Sequence, residues 1–189
     1  MFSRFNFIPV LRGHWKGLTD GRYAPPRPDV LARLALLIPA IVFLLMWLKK
    51  GNLSTPSALL TGIALLAGGM LSAFTHLSTL RLKLKEWVDA SEASRYEVEK
   101  GMLDETAAHL LTGSLLCAFD VASLVIGMNV SMTKEGHLYG FWAALSAAIS
   151  SYVLVIFTLL VPRLYSAYVE INDVSPDLNG FVSRKTKNR

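Results

Sequence analysis

A chain of 189 residues, 52% hydrophobic, with mean hydropathy +0.41 and net charge +5, is too apolar for an ordinary soluble domain. Its single cysteine, Cys117, excludes an intramolecular disulfide and any CxxC motif. The sequence holds no Gly-rich phosphate loop, metal-ligand cluster or nucleophile–base pair, so enzyme chemistry, a cofactor and a bound metal are not expected.

Residues 1–29 are basic and aromatic. Ile8, Leu11, Trp15 and Leu18 recur at helical spacing with Arg12 and Lys16 between them, which predicts a short helix lying in the membrane interface. Pro, charges and Trp interrupt any apolar core here, so no cleavable signal is expected. A Pro-rich segment, 24–28, ends the tail, and Asp29 is a suitable N-cap. A first span is predicted over 30–48, kinked at Pro39 and closed by Lys49-Lys50-Gly51-Asn52.

The second span, 57–80, is built from small residues. Gly62, Gly68 and Gly69 each have a small residue four positions away, the spacing that lets helix backbones approach closely. Thr61, Gly68, Ser72, Thr75 and Thr79 form a second, polar stripe. Residues 81–105 carry seven acidic and five basic groups, and the apolar spacing continues through Trp87, so a helical hairpin tip outside the membrane is expected. Ser94-x-x-Glu97 resembles a capping box leading into the third span, 106–131. A fourth span covers 141–162 and continues toward Glu170, before a basic tail over 171–189.

Sixteen of the 19 Lys and Arg residues fall in the N-terminal segment up to Arg33, the 81–105 tip and the C-terminal segment from Arg163. Only Lys49, Lys50 and Lys134 lie in the opposite loops. This asymmetry predicts that both termini and the tip are cytoplasmic. The expected fold is therefore all-α and polytopic: a cytoplasmic or interfacial segment 1–29, a four-helix membrane domain 30–170 and a cytoplasmic tail 171–189.

The third span contains one carboxylate, Asp120, near its middle, and an ionisable group there marks function by default. Counting depth from each interface brings Thr61, Ser150 and Ser151 level with it as hydrogen-bond candidates. His76 and His109 fall at a similar depth near the cytoplasmic face. Two readings of Asp120 stand: a protonated carboxyl buried between helices for assembly, or a group facing an aqueous path for cations. Arg12, Lys16, Arg81, Lys83 and Lys85 are the basic residues able to combine into an anion site, although anionic lipid explains such charges as well.

The HWKGL segment before the first span, the LLTGIALLAGGMLSAF stretch running into RLKLKEW, and DETAAHLLTG leading the third span are similar to small four-span membrane proteins of bacterial anti-phage loci. The layout resembles the membrane subunit of Hailong-type defence, and less closely that of Kiwa-type defence. The resemblance implies an effector of the bacterial inner membrane, a homo-oligomer read as a tetramer. Its channel would be gated by the DNA oligomer of a partner nucleotidyltransferase. No motif transfers a functional residue. The rival expectations are a non-conducting sensor or scaffold that recruits a cytoplasmic partner, and a small transporter, which the lack of an inverted repeat disfavours.

Overall fold

The computed structural model describes residues 6–20, 27–28, 30–87, 93–171 and 175. It is mostly helical, with α1 Ile8–Lys16, α2 Val30–Ala35, α3 Leu37–Leu48, α4 Pro56–Trp87, α5 Ala93–Val130 and α6 Gly140–Ile171. Two antiparallel pairs of two-residue strands join β1 Thr19–Asp20 to β2 Arg27–Pro28, and β3 Asn52–Leu53 to β4 Leu138–Tyr139. Among the described residues three helices are long and apolar enough to cross a bilayer, over Pro56–Leu82, Lys100–Val130 and Gly140–Ser166, which makes this a helical membrane protein.

The segment expected as one kinked span over 30–48 is broken. α2 ends at Ala35, a turn at Leu36 follows, and α3 holds only 12 residues, about 18 Å of rise. Pro39 explains the position: its ring clashes with the carbonyl of the residue four back, Ala35, where helical structure stops. α3 then ends in a backbone cap. Lys50 adopts a left-handed φ of 50°, and the Gly51 amide donates to the Met46 carbonyl at 2.8 Å.

α4 runs unbroken from Pro56 past residue 80 to Trp87, as the continued apolar spacing predicts. α5 already includes Ala93, so Ser94 lies inside the helix and does not cap it; residues 88–92 lie outside the described ones. α6 passes through Pro162 without stopping and reaches Ile171.

Contacts run in antiparallel register. Leu77 of α4 packs on Leu103 of α5, and Met70 of α4 on Gly113. Ser146 and Ser150 of α6 meet Ser123 and Asp120 of α5. α3 lies along α6, with Phe43, Trp47 and Phe141 in mutual ring contact at centroid distances of 6.1–6.2 Å. The core is a file of Ile63, Met70, Leu110, Cys117, Val153, Ile156 and Leu160, in which Cys117 acts as a small apolar residue. Two glycines permit the close approach of helices. A Cβ on Gly113 would meet Met70 Sδ at 2.6 Å, and one on Gly127 would meet Trp142 Cβ at 2.7 Å.

Candidate functional site

Three polar features stand out against this apolar frame. The first is a seam inside the α5–α6 interface. Asp120 is fully buried, and the Ser150 hydroxyl donates to its Oδ2 at 2.5 Å. One turn away, Ser123 and Ser146 share a hydrogen bond of 3.0 Å. Asp120 Oδ1 has no hydrogen-bond partner among the described residues. Of the three residues level with Asp120 by depth, the structure brings only Ser150 to it. Thr61 is exposed on α4 and donates to the Ser57 carbonyl, while Ser151 donates to the Ala148 carbonyl. In each case the hydroxyl finds a backbone acceptor on its own helix, the usual resolution for Ser and Thr in apolar surroundings.

The second feature is the outer side of α4. This helix is the least covered of the three: 11% of its apolar window is buried, against 50% for α5 and 39% for α6. Ile63, Met70 and Leu77, seven apart, form its buried edge. Thr61, Gly68, Ser72, Thr75 and Thr79 are all exposed, and at 100° per residue they fall on the opposite side. His76, also exposed, borders this stripe. Gly62, Gly68 and Gly69 have nothing within 4 Å of a built Cβ, so inside one chain they touch no neighbouring helix. Gly62 and Gly69 line an apolar groove of about 500 Å³ between α4 and α6, with Ser150 and Phe157 on its far wall.

The third feature joins α1 to the bundle and was not foreseen. α1 seats its Gly13, His14 and Gly17 side on α5, and Leu18 just beyond the helix is buried. Ile8, Leu11 and Trp15 face outward, and of the four residues of the apolar stripe only Leu18 is taken into the protein. His14 Nδ1 lies 3.3 Å from Nδ1 of buried His109, and His14 Nε2 lies 2.8 Å from the Tyr152 hydroxyl. Arg163 of α6 donates through Nη2 to the Gly17 carbonyl at 2.8 Å, and its Nη1 lies 2.7 Å from Glu105 Oε1. The guanidinium meets the C-terminal end of α1, where helix carbonyls favour a cation. Burial, aided by the nearby Arg163 charge, pushes the His14 pKa down from 6.5 to about 4.

Only His109 of this cluster was singled out from the sequence, and the structure pairs it with His14 and not with His76. The available signal was Gly13-x-x-x-Gly17, a small-residue pair marking a packing face beside His14. Of the five basic residues considered together, Arg12 and Lys16 are exposed on α1, with Arg33 stacked over Trp15 at 5.2 Å. Arg81 is held by Asp104 of α5 at 2.6 Å, which offsets its charge. The side chains of Lys83 and Lys85 lie outside the described ones. Among the described residues no group of three metal-ligating side chains comes together.

Compared with protein-family models, with curated proteins and with solved structures, the chain matches none.

Proposed function

We propose that this protein is a homo-oligomeric pore of the bacterial inner membrane, each subunit crossing it four times. The polar stripe of α4 lines the conduction path. One observation carries the reading: Thr61, Gly68, Ser72, Thr75 and Thr79 lie uncovered, opposite the buried edge of the least covered helix. A face of small and hydroxyl-bearing residues gains little from lipid and more from water or a second copy of itself. Symmetry supplies the enclosed path that one small subunit lacks, and four copies is the number we favour.

In this reading α2 and α3 together form the remaining crossing, since 30–48 amounts to about 28 Å of helical rise. Their antiparallel run against α6 agrees with both termini and the α4–α5 tip being cytoplasmic, the orientation that the Lys and Arg distribution favours. Asp120 acts as a brace between α5 and α6, because it is fully buried and hydrogen-bonded to Ser150. The likeness to anti-phage membrane effectors supports a cytoplasmic nucleotide or oligonucleotide signal as the gate, made by a partner nucleotidyltransferase. Exposed Arg12 and Lys16 offer phosphate contacts for it. The rival, a non-conducting scaffold, draws on Thr61, Thr75 and Thr79 satisfying their hydroxyls on their own backbone, which leaves them no need of water.

The test is planar-bilayer recording of purified protein of known oligomeric mass, with Thr75→Leu and Thr79→Leu beside the wild type. A conducting oligomer whose current falls severalfold in both variants supports the pore. An intact oligomer that passes no current, with or without added DNA oligomers, rejects it.

A further inference from the structure

The contact between α1 and the bundle has a chemistry of its own, independent of conduction. In the neutral state one arrangement of hydrogens satisfies the histidine chain. His109 donates from Nδ1 to His14 Nδ1, and His14 donates from Nε2 to the Tyr152 oxygen. His109 Nε2, buried with no partner among the described residues, then carries only a lone pair. We propose that α1 is a proton-sensitive latch, held on α5 and α6 while His14 is neutral and released when His14 gains a proton.

The cost of protonation follows from the hydrogen-bond donors it creates. A protonated His14 carries hydrogens on both ring nitrogens, so His109 Nδ1 must accept and the His109 hydrogen moves to Nε2. That places a donor on a buried atom with nothing to receive it, a costly arrangement. It also sets a second cation beside Arg163. The surrounding groups do not compensate. From α5 come His109 and Glu105, and Glu105 is already paired with Arg163. From α6 come Tyr152 and Arg163, one neutral and one cationic. On α1 itself Arg12 and Lys16 are exposed, and Arg33 of α2 is stacked on Trp15, so the further charges nearby among the described residues are positive.

The lowered His14 pKa fixes the sign. The docked state binds fewer protons than the released one, so docking is full above pH 6.5 and weakens as pH falls from 6.5 toward about 4. With those two values the docking constant falls about 30-fold between pH 8 and pH 5. Released α1 keeps its outward Ile8, Leu11 and Trp15 in the interface and uncovers the His109 side of α5.

The test uses the full chain in nanodiscs, in a Cys117→Ala background, with spin labels at Leu11→Cys and Lys134→Cys. α1 docks at residues 105–109 of α5 and Lys134 lies just past its C-terminal end, so the two labels are roughly 35 Å apart along the helix, within range of pulsed dipolar measurement. One narrow distance is expected at pH 8, with a second population growing by pH 5. His14→Arg is expected to show that second population already at pH 8, and His14→Gln to keep the docked distance at both. Two results overturn the latch: a wild-type distance unchanged to pH 4.5, or an acid response in His14→Gln equal to that of the wild type. Nitrogen NMR of the labelled histidines gives a separate decision should His14→Gln fail to dock. A His14 that titrates near 6.5 while α1 stays docked refutes the latch, and one that titrates well below supports it.

Discussion

Adding a methyl to a glycine is predicted to have opposite signs on the two sides of α4–α5, and the structure supplies the magnitudes. At Gly127 a Cβ would sit 2.7 Å from Trp142 Cβ, 3.1 Å from Leu138 Cδ1 and 3.2 Å from Trp142 Cγ. Carbon atoms prefer about 3.5–4.0 Å. Trp142 Cβ is attached directly to the α6 backbone, so the helices themselves must part. Overpacking of this kind costs about 1–3 kcal/mol, and the gain in helix propensity returns about 0.5–1 kcal/mol. Gly127→Ala is therefore expected to destabilise the chain, by up to about 2.5 kcal/mol. At Gly69 nothing lies within 4 Å, so Gly69→Ala keeps only the propensity gain and leaves the monomer unchanged or up to about 1 kcal/mol more stable. Reversible unfolding in bicelles, followed by steric trapping on a monomeric preparation, measures both. A Gly69→Ala loss above about 1 kcal/mol, or a Gly127→Ala gain, refutes the packing argument. The leucine variant separates stability from assembly: Gly69→Leu should keep the monomer folded and lower the oligomeric mass. An unchanged mass removes the Gly62–Gly69 groove from the oligomer contact.

Three further outcomes are expected. Ser150→Ala removes the hydroxyl on Asp120 Oδ2 and should cost about 1 kcal/mol, the scale of interhelical hydrogen bonds in membranes; Asp120→Asn should be close to neutral in stability and in current. A large drop in cation current with Asp120→Asn, at full assembly, would move Asp120 from brace to conduction path. Arg163→Gln breaks the contacts to Glu105 and the Gly17 carbonyl and should weaken α1 docking by about 1–3 kcal/mol, read from the same spin-label pair; an unshifted distance distribution contradicts it. Single cysteines at Lys16 and Thr133, with Cys117→Ala, should label from the inside and the outside respectively in intact cells, and outside labelling at Lys16 would invert the topology.

The two kinds of glycine show why one stretch of sequence carries unequal information. Gly62, Gly68 and Gly69 have small-residue neighbours at four-residue spacing, and so does Gly113 with Cys117. Spacing says that a face is narrow, and only the neighbouring helix says whether anything fills the gap. Depth counting narrowed the companions of Asp120 to three hydroxyls for the same reason. A helix rise of 1.5 Å per residue fixes level, whereas rotation about the axis decides which hydroxyl points inward.

The three long helices and their order follow from hydropathy and spacing alone. A segment in lipid must satisfy its backbone internally, so long apolar runs over 57–80, 106–131 and 141–162 had no alternative to helix. Pro39 marked the weak point of the first apolar segment, although whether the helix bends or breaks there depends on what its neighbours can hold. Which face of α1 meets the bundle depends on the packing of distant helices. Ile8, Leu11, Trp15 and Leu18 read as one apolar stripe, yet the bundle takes Leu18 with His14 and the two glycines and leaves the other three outward. Beside a membrane an apolar side chain loses little by facing lipid. Polar groups such as His14 and Arg163 gain most from burial against a partner, and which partner is available is a property of helices more than ninety residues apart in sequence.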